Sequence, residues 1–296
     1  MDGILLIDKS SGPTSFDIVR TVRKRAGTRR VGHAGTLDPL ASGLLAVCLG
    51  QGTKLVPYLM DGDKRYTVTV ALGQETDTLD SEGEVVREAP VPIFDRADIR
   101  RAAASFVGMI PQVPPAYSAI KRDGEALYKK ARRGEAVAIE PRTVRIDAID
   151  VIAISRERIS LDVTCGKGTY IRSLARDIAV SLGTVGHVTA LRRTASSGFA
   201  VGDAHPDAVL DTPDWEVASH LVSMADALPT MPRCVLSEAE VRAVGFGQSL
   251  PSETASFSLA DDGDDHVALV DGAGCLVAIS RRSENGVLKI VRGFPR

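Results

Sequence analysis

No apolar run in this chain approaches the length of a membrane span, about 20 residues, and the opening MDGILLIDKSSG has neither the basic start nor the long apolar stretch of a signal peptide. The expectation is a cytoplasmic protein without a membrane. Cysteine is scarce: Cys48, Cys165, Cys234 and Cys275 lie far apart, and Cys48 and Cys165 sit in strand-like apolar runs. That spacing indicates neither a disulfide framework nor a zinc ribbon, and reads as reduced, mostly core thiols. The five histidines are scattered, so no metal site is expected among them. Nucleotide-binding signatures are missing as well. GKGT at residues 166–169 lacks the GxxxxGK[ST] spacing, and GHAGTLD is not GxGxxG.

What is present fits a globular chain. At 296 residues, 44% hydrophobic and 25% charged, it is long and apolar enough for two domains. The net charge of −2 conceals an asymmetry. Residues 20–30, RTVRKRAGTRR, hold six basic side chains and no acid, and 121–133 is again basic, whereas 203–226 carries only acids among its charged residues. Separated basic clusters suit a phosphate-binding face, because neutralising phosphates releases counterions. A solvated helix face is the bland alternative for either cluster.

The chain is organised around residues 31–49, VGHAGTLDPLASGLLAVCL. Three glycines permit close backbone approach, and Pro39 biases Asp38 toward an extended or turning conformation. The apolar run 44–49, bounded by glycines, reads as a buried strand. Asp38 is then either a carboxylate placed for chemistry at the mouth of that strand or an ordinary Asp-Pro turn.

Around it, residues 3–7 read as a short strand, and 15–25 as an amphipathic helix capped by Ser15 with Phe16, Val19 and Val22 on its apolar face. A helix is expected near 53–59. Residues 64–72 alternate as a strand with one exposed face, and carry Tyr66 near the start. Residues 76–83 are an acidic turn, 95–107 a capped helix, and 111–115 an irregular crossing with three prolines. Residues 121–133 form a basic hairpin or short helix. Strands 142–150 and 158–165 pair, a glycine loop at 166–169 opens a helix over 170–182, and 187–193 is a strand. Residues 203–228 are acidic and partly helical. Past a boundary near 232, short strands and a helix at 237–244 form a small β-rich module.

Several of these stretches match one family in order. GHAGTLDPLASGLL resembles the catalytic motif of the TruB family of tRNA pseudouridine synthases. LLIDKSSGPTS lies before it, and DKRYTV (63–68), SAIK (118–121), GKGTYIRSLARD (166–177) and GHVTALRRT (186–194) follow, covering roughly residues 3–200. The resemblance implies isomerisation of one uridine, position 55 in the T loop of tRNA, to pseudouridine: base flipping, cleavage of the bond from N1 to C1′, and joining of C5 to C1′. No redox, hydrolysis or energy input is needed, so no cofactor is expected.

It also implies roles. Asp38 is the catalytic carboxylate, as nucleophile or as base. Arg172 pairs with it, as a buried carboxylate requires. Tyr66 stacks on the target base and can assist proton transfer from C5. His33 is inserted into the T loop in place of the flipped nucleotide. Lys9, Tyr170 and Leu191 build the pocket floor and walls, with bracing of the loop an equal reading for Lys9. Arg29 and Arg30, with Lys121, Lys129 and Lys130 on a thumb at about 119–142, bind phosphates of the T arm.

The implied fold is α+β: a catalytic domain, 1–232, with a mixed, largely antiparallel sheet, and a C-terminal PUA-like β-barrel module, 233–296, that binds RNA. The expected partner is the tRNA T arm, for a monomer with no obligatory protein partner. A guide-RNA-dependent relative and an RNA-folding chaperone are the competing readings. Two departures stand out: Lys9-Ser10 where the family commonly has Lys-Pro, and the acidic 203–226 connector, which matches no motif.

Overall fold

The structure, a computed structural model, describes residues 1–118, 121–122, 125–126, 133, 139–251, 266–283 and 285–295. Alternation with period two builds its centre. Along Gly3–Lys9 (β1), Leu5 and Ile7 enter one apolar cluster while Ile4 and Leu6 enter another. Ser42–Leu49 (β3) divides the same way, Leu45, Val47 and Leu49 against Leu44, Ala46 and Cys48. A strand covered on both faces needs apolar residues at every position, which is why these stretches are continuous rather than alternating. β1 and β3 pair antiparallel from Gly3↔Leu49 to Lys9↔Gly43. Val31–Ala34 (β2) pairs with the outer half of β3.

The other strands of the large sheet are Lys64–Leu72 (β4), Gly108–Gln112 (β5), Arg142–Ile154 (β6), Arg158–Cys165 (β7) and Gly186–Ser196 (β8). Among the described residues the spine runs β1-β3-β8-β4-β7-β6-β5. All its pairings are antiparallel except β3 with β8, where Ser42 and Gly43 meet Arg192 and Arg193 in parallel. The mixed, largely antiparallel sheet is therefore as expected. β4 is central. Val68, Val70 and Leu72 face the core, and the opposite face carries the Arg65–Asp162 ion pair at 2.6 Å and the Thr69–Ser160 hydroxyl pair at 3.1 Å.

Three helices pack on the front face through residues of the first cluster. Ser15–Ala26 (α1) is capped by Thr14, one residue earlier than expected, in a capping box with Asp17. Its buried stripe is Ser15, Ile18, Val19 and Val22, so Phe16, expected on the apolar face, points outward. Arg96–Ala104 (α3) is capped by Asp95, and Ile171–Ser181 (α4) buries Ile171, Leu174, Ala175 and Ile178. Between β3 and β4 a 3-10 turn leads into the short helix Val56–Asp61 (α2).

The acidic connector contains short 3-10 turns, 201–203, 207–211 and 217–220, rather than an α-helix. It returns to the sheet edge, with His205 and Pro206 beside Ile7 and Asp8 and Val222 bridged to Ile4. Strands Arg233–Val235 (β9), Leu250–Pro251 (β10), His266–Val270 (β11), Leu276–Arg282 (β12) and Val287–Gly293 (β13) form a second sheet, order β9-β11-β12-β13-β10. Helix Glu238–Gly245 (α5) packs on it through Val244. Ala268, Val270, Leu276, Ile279 and Phe294 join Ile4, Leu6, Leu44 and Cys48 in one cluster, so this sheet docks on the back of the first.

The β3–β8 crossing depends on one glycine. Gly43 has φ +103°, and a Cβ there would lie 2.3 Å from the Arg193 carbonyl oxygen and 2.7 Å from its amide nitrogen. Gly32, on the strand adjoining β3, has nothing within 4 Å of its Cβ position. Gly43→Ala is expected to lower stability by about 2 kcal/mol or more, from backbone strain and a clash with main chain. Gly32→Ala is expected to stay within about 0.5 kcal/mol. Urea denaturation of the two variants checks this; equal midpoints would refute the close-packed crossing.

Candidate active site

The Asp38 loop is gripped by the N-terminal motif. Ser15 Oγ donates to the Leu37 carbonyl at 2.9 Å and accepts from the Leu37 N–H at 2.8 Å. The Gly12 N–H donates to the Pro39 carbonyl at 2.8 Å, and Ser11 Oγ to that of Leu40 at 2.9 Å. Lys9, fully buried, donates from Nζ to the carbonyls of Ser10 at 2.8 Å and Pro39 at 3.4 Å. It is not among the residues that line the cleft. Ser10, where the family commonly has proline, donates both its N–H (2.8 Å) and its Oγ (2.6 Å) to Asp207 of the acidic connector. Proline has no N–H to give. Here a hydrogen-bonded tether holds the turn, and the connector supplies its acceptor.

Arg172, in the first turn of α4, reaches Asp38 from the opposite side, with Nε 3.0 Å from Oδ2. Its side chain is only 7% exposed, and each of its other two nitrogens has a partner: Nη1 with the Thr78 carbonyl at 2.7 Å and Asp80 Oδ2 at 3.1 Å, Nη2 with the Tyr117 carbonyl at 3.0 Å. Asp80, buried, also accepts from Thr78 Oγ1 at 2.6 Å and from the Glu82 N–H at 3.1 Å. Leu79 beside it is forced to φ +63°. The sequence treated 76–83 as an acidic turn and missed Asp80. The available signal was a second acid two residues after Thr78 in TDTLDSE, which only a folded partner distinguishes from a solvated turn.

The electrostatics of Asp38 are finely opposed. Burial pushes its carboxyl above the ordinary aspartate range, the Asp80 carboxylate pushes the same way, and Arg172 and Lys9 pull it back. Its side chain is 37% exposed, open to a cleft of about 920 Å³. Glu82, near the same loop, is raised by burial and then by Asp80 and Asp38.

Tyr66, Tyr170, Leu191, His33, Asp38 and Arg172 all line this cleft. Tyr66 is half-buried on β4, its hydroxyl pushed up by burial and drawn back by the charge of Arg193, its cross-strand neighbour. Tyr170 is gripped through its backbone: Gln112 Oε1 accepts its N–H at 2.8 Å and Gln112 Nε2 donates to its carbonyl at 3.2 Å. His33 lies in β2, paired with Val47, and not on a glycine-flanked loop tip. Burial, then Arg193, holds its imidazole below the usual value, which favours the neutral ring. Arg193 is the second residue the sequence missed. Almost wholly buried, it donates from Nε to the Leu44 carbonyl at 2.7 Å and from Nη2 to that of Gly35 at 3.1 Å, fixing the start of the Asp38 loop.

The basic segments are less uniform than their composition. Arg29 and Arg30 are exposed outside the cleft, with Arg30 on Gln51 and Thr53. Arg25 is turned away onto the carbonyls of the connector, including Trp215 at 3.2 Å. Lys121 lies in a two-residue strand paired with Ala126; Lys129 and Lys130 lie outside the described residues. Among the described residues no group of three or more His, Cys, Asp or Glu side chains could hold a metal ion, and no helix is long and apolar enough to cross a membrane.

With this geometry in hand, comparison with known proteins is direct. The family model described as TruB family pseudouridylate synthase (N terminal domain) matches residues 23–171. A protein of Gluconacetobacter diazotrophicus named tRNA pseudouridine synthase B is 43% identical over 294 residues, 98% of this chain and 96% of its own. One of the same name from Syntrophotalea carbinolica is 37% identical over 300 residues, 99% of this chain and 98% of its own. In fold, the chain is similar to a solved structure titled as a Cbf5-Nop10-Gar1 complex, with TM-score 0.77 and 25% identity, over 99% of this chain and 84% of that one. An ion-paired aspartate in a cleft, a matching family model and relatives along nearly the whole chain agree: this protein belongs to the TruB family of pseudouridylate synthases.

Proposed function

We propose that the protein isomerises uridine 55 in the T loop of tRNA to pseudouridine. The observation that carries this reading is Asp38, open to a nucleotide-sized cleft and paired at 3.0 Å with a buried arginine. The reaction breaks the N1–C1′ bond, turns the base and joins C5 to C1′; the C5 hydrogen leaves as a proton and N1 takes one up. Asp38 serves as nucleophile or base, and either role needs the ionised carboxylate that Arg172 stabilises. Tyr66 stacks on the extruded uracil, worth about 1–3 kcal/mol, against an extrusion cost of a few kcal/mol. Tyr170 and Leu191 wall the pocket, and His33 on the cleft edge fills the place the uridine leaves. Phosphates of the T arm fall to Arg29 and Arg30, exposed outside the cleft, and to the basic segment at about 119–142 with Lys121, Lys129 and Lys130.

Residues 1–232 form the catalytic domain in this reading, and 233–296 an RNA-binding module. We take the enzyme to act alone as a cytoplasmic monomer. The apolar back of the sheet, which a partner would otherwise cover, is covered by the chain's own second sheet.

Release of tritium from C5-labelled uridine in unmodified tRNA tests the proposal. Wild type is expected to release it, and Asp38→Asn to lose at least about a hundredfold in rate while retaining the RNA in filter binding. Binding without release by wild type would sink the isomerase reading and favour a chaperone.

Asp80 generates a second expectation. Asp80→Asn removes one charged contact of Arg172, which is expected to cost about tenfold or more in the plateau rate. Because ionised Asp38 is the active form, the rate falls as pH drops through its raised pKa. Removing the like charge of Asp80 lowers that pKa, so the acid limb of the pH–rate profile moves to lower pH. A limb that stays put or moves upward would exclude electrostatic coupling between the two carboxylates.

A further inference from the structure

Phe16 takes no part in the apolar packing of α1. The entry of α1 is fixed by the capping box of Thr14 and Asp17. Its inward stripe, Ser15, Ile18, Val19 and Val22, passes Phe16 by. Phe16 belongs to none of the three apolar clusters and is 56% exposed. A single exposed apolar side chain is ordinary by itself; what sets Phe16 apart is its place at the cleft. It lines the Asp38 cleft, with Met60, also exposed, on the same lining.

The surroundings indicate what the ring would meet. The Arg23 guanidinium lies 5.4 Å from its centroid, within cation–π range, which fixes the ring's plane. Arg20 is exposed one turn further along the helix, and Lys167 lies on the same cleft lining. An aromatic face set among cations is how single-stranded nucleic acid is held: cations follow the backbone, and bases stack on rings. Drawing one nucleotide out of a loop also strips its neighbours of a stacking partner. Tyr66 lies half-buried among core residues and Phe16 on the exposed helix entry, so the two rings sit at different depths of one cleft.

Resting on the tRNA reading above, we propose that Phe16 is a stacking platform for an unpaired base of the T loop, one that loses its neighbour when the target uridine descends to Tyr66 and Asp38. It is a binding residue for the RNA that remains outside the pocket. Its contribution is made equally before and during the reaction, so it appears in KM rather than in kcat.

Steady-state tritium release from C5-labelled uridine in unmodified tRNA, compared among wild type, Phe16→Leu and Phe16→Tyr, tests this. Both substitutions are at an exposed position outside every apolar cluster, so the fold is kept. Phe16→Leu retains apolar bulk without a ring face and is expected to raise KM about tenfold, within the range of base–aromatic stacking, with kcat within about twofold. Phe16→Tyr is expected to restore the wild-type KM. An unchanged KM in Phe16→Leu, or a rise that Phe16→Tyr shares, overturns the proposal and leaves the tRNA reading intact. A wild-type enzyme that releases no tritium from tRNA overturns both.

Discussion

The ion pair between Asp38 and Arg172 is the constraint around which the molecule is arranged. Taking a carboxylate and a guanidinium out of water costs several kcal/mol per ion, and their attraction repays it only when geometry is good and every remaining donor is satisfied. Arg172 approaches that condition with a partner at each nitrogen: Asp38 itself, and Asp80 and the carbonyls of Thr78 and Tyr117 from the turns around residues 78–80 and 117. A planar fork with several donors can serve four acceptors at once; a lysine ammonium could not serve them in the same geometry. Asp38 meets it from the other side, where the segment Lys9–Ser15 fastens the loop through side chains and main chain. The site is thus assembled from chain regions far apart in sequence, each fixed independently of the substrate.

A sheet buried on both faces gives those regions a common frame. The front holds the helices and the cleft, and the back receives the second sheet across a shared apolar cluster. Rigidity behind the site has chemical value, since an opposing carboxylate such as Asp80 tunes Asp38 only while its position is held. The balance of Asp38, raised by burial and Asp80 and lowered by Arg172 and Lys9, is a property of distances that a looser scaffold would average away.

Local sequence determined a good deal. The period-two and continuous apolar runs located β1, β3, β4, β6 and β7, and the Ser/Thr/Asp caps located α1, α3 and α5 to within a residue or two, because both signals depend on neighbours in the chain. The ordered motifs named Asp38, Tyr66, Arg172, Tyr170, Leu191 and His33, and the fold brings all six to one cleft. Tertiary structure alone decided the rest. Asp80 and Arg193 became functional candidates only when folding placed one against Arg172 and the other beneath Gly35. Lys9 reaches the Pro39 carbonyl and His33 pairs with Val47, partners 30 and 14 positions away that neighbours in the chain do not reveal. The basic run 20–30 divided for the same reason, with Arg25 turned onto the connector and Arg30 onto Gln51 and Thr53. Phe16 was assigned inward by its spacing from Val19 and Val22, yet a stripe set by Ser15 and Ile18 turned it out. Periodicity fixes which residues share a face; which face is covered, and what an uncovered ring or charge then confronts, is settled by elements remote in the chain.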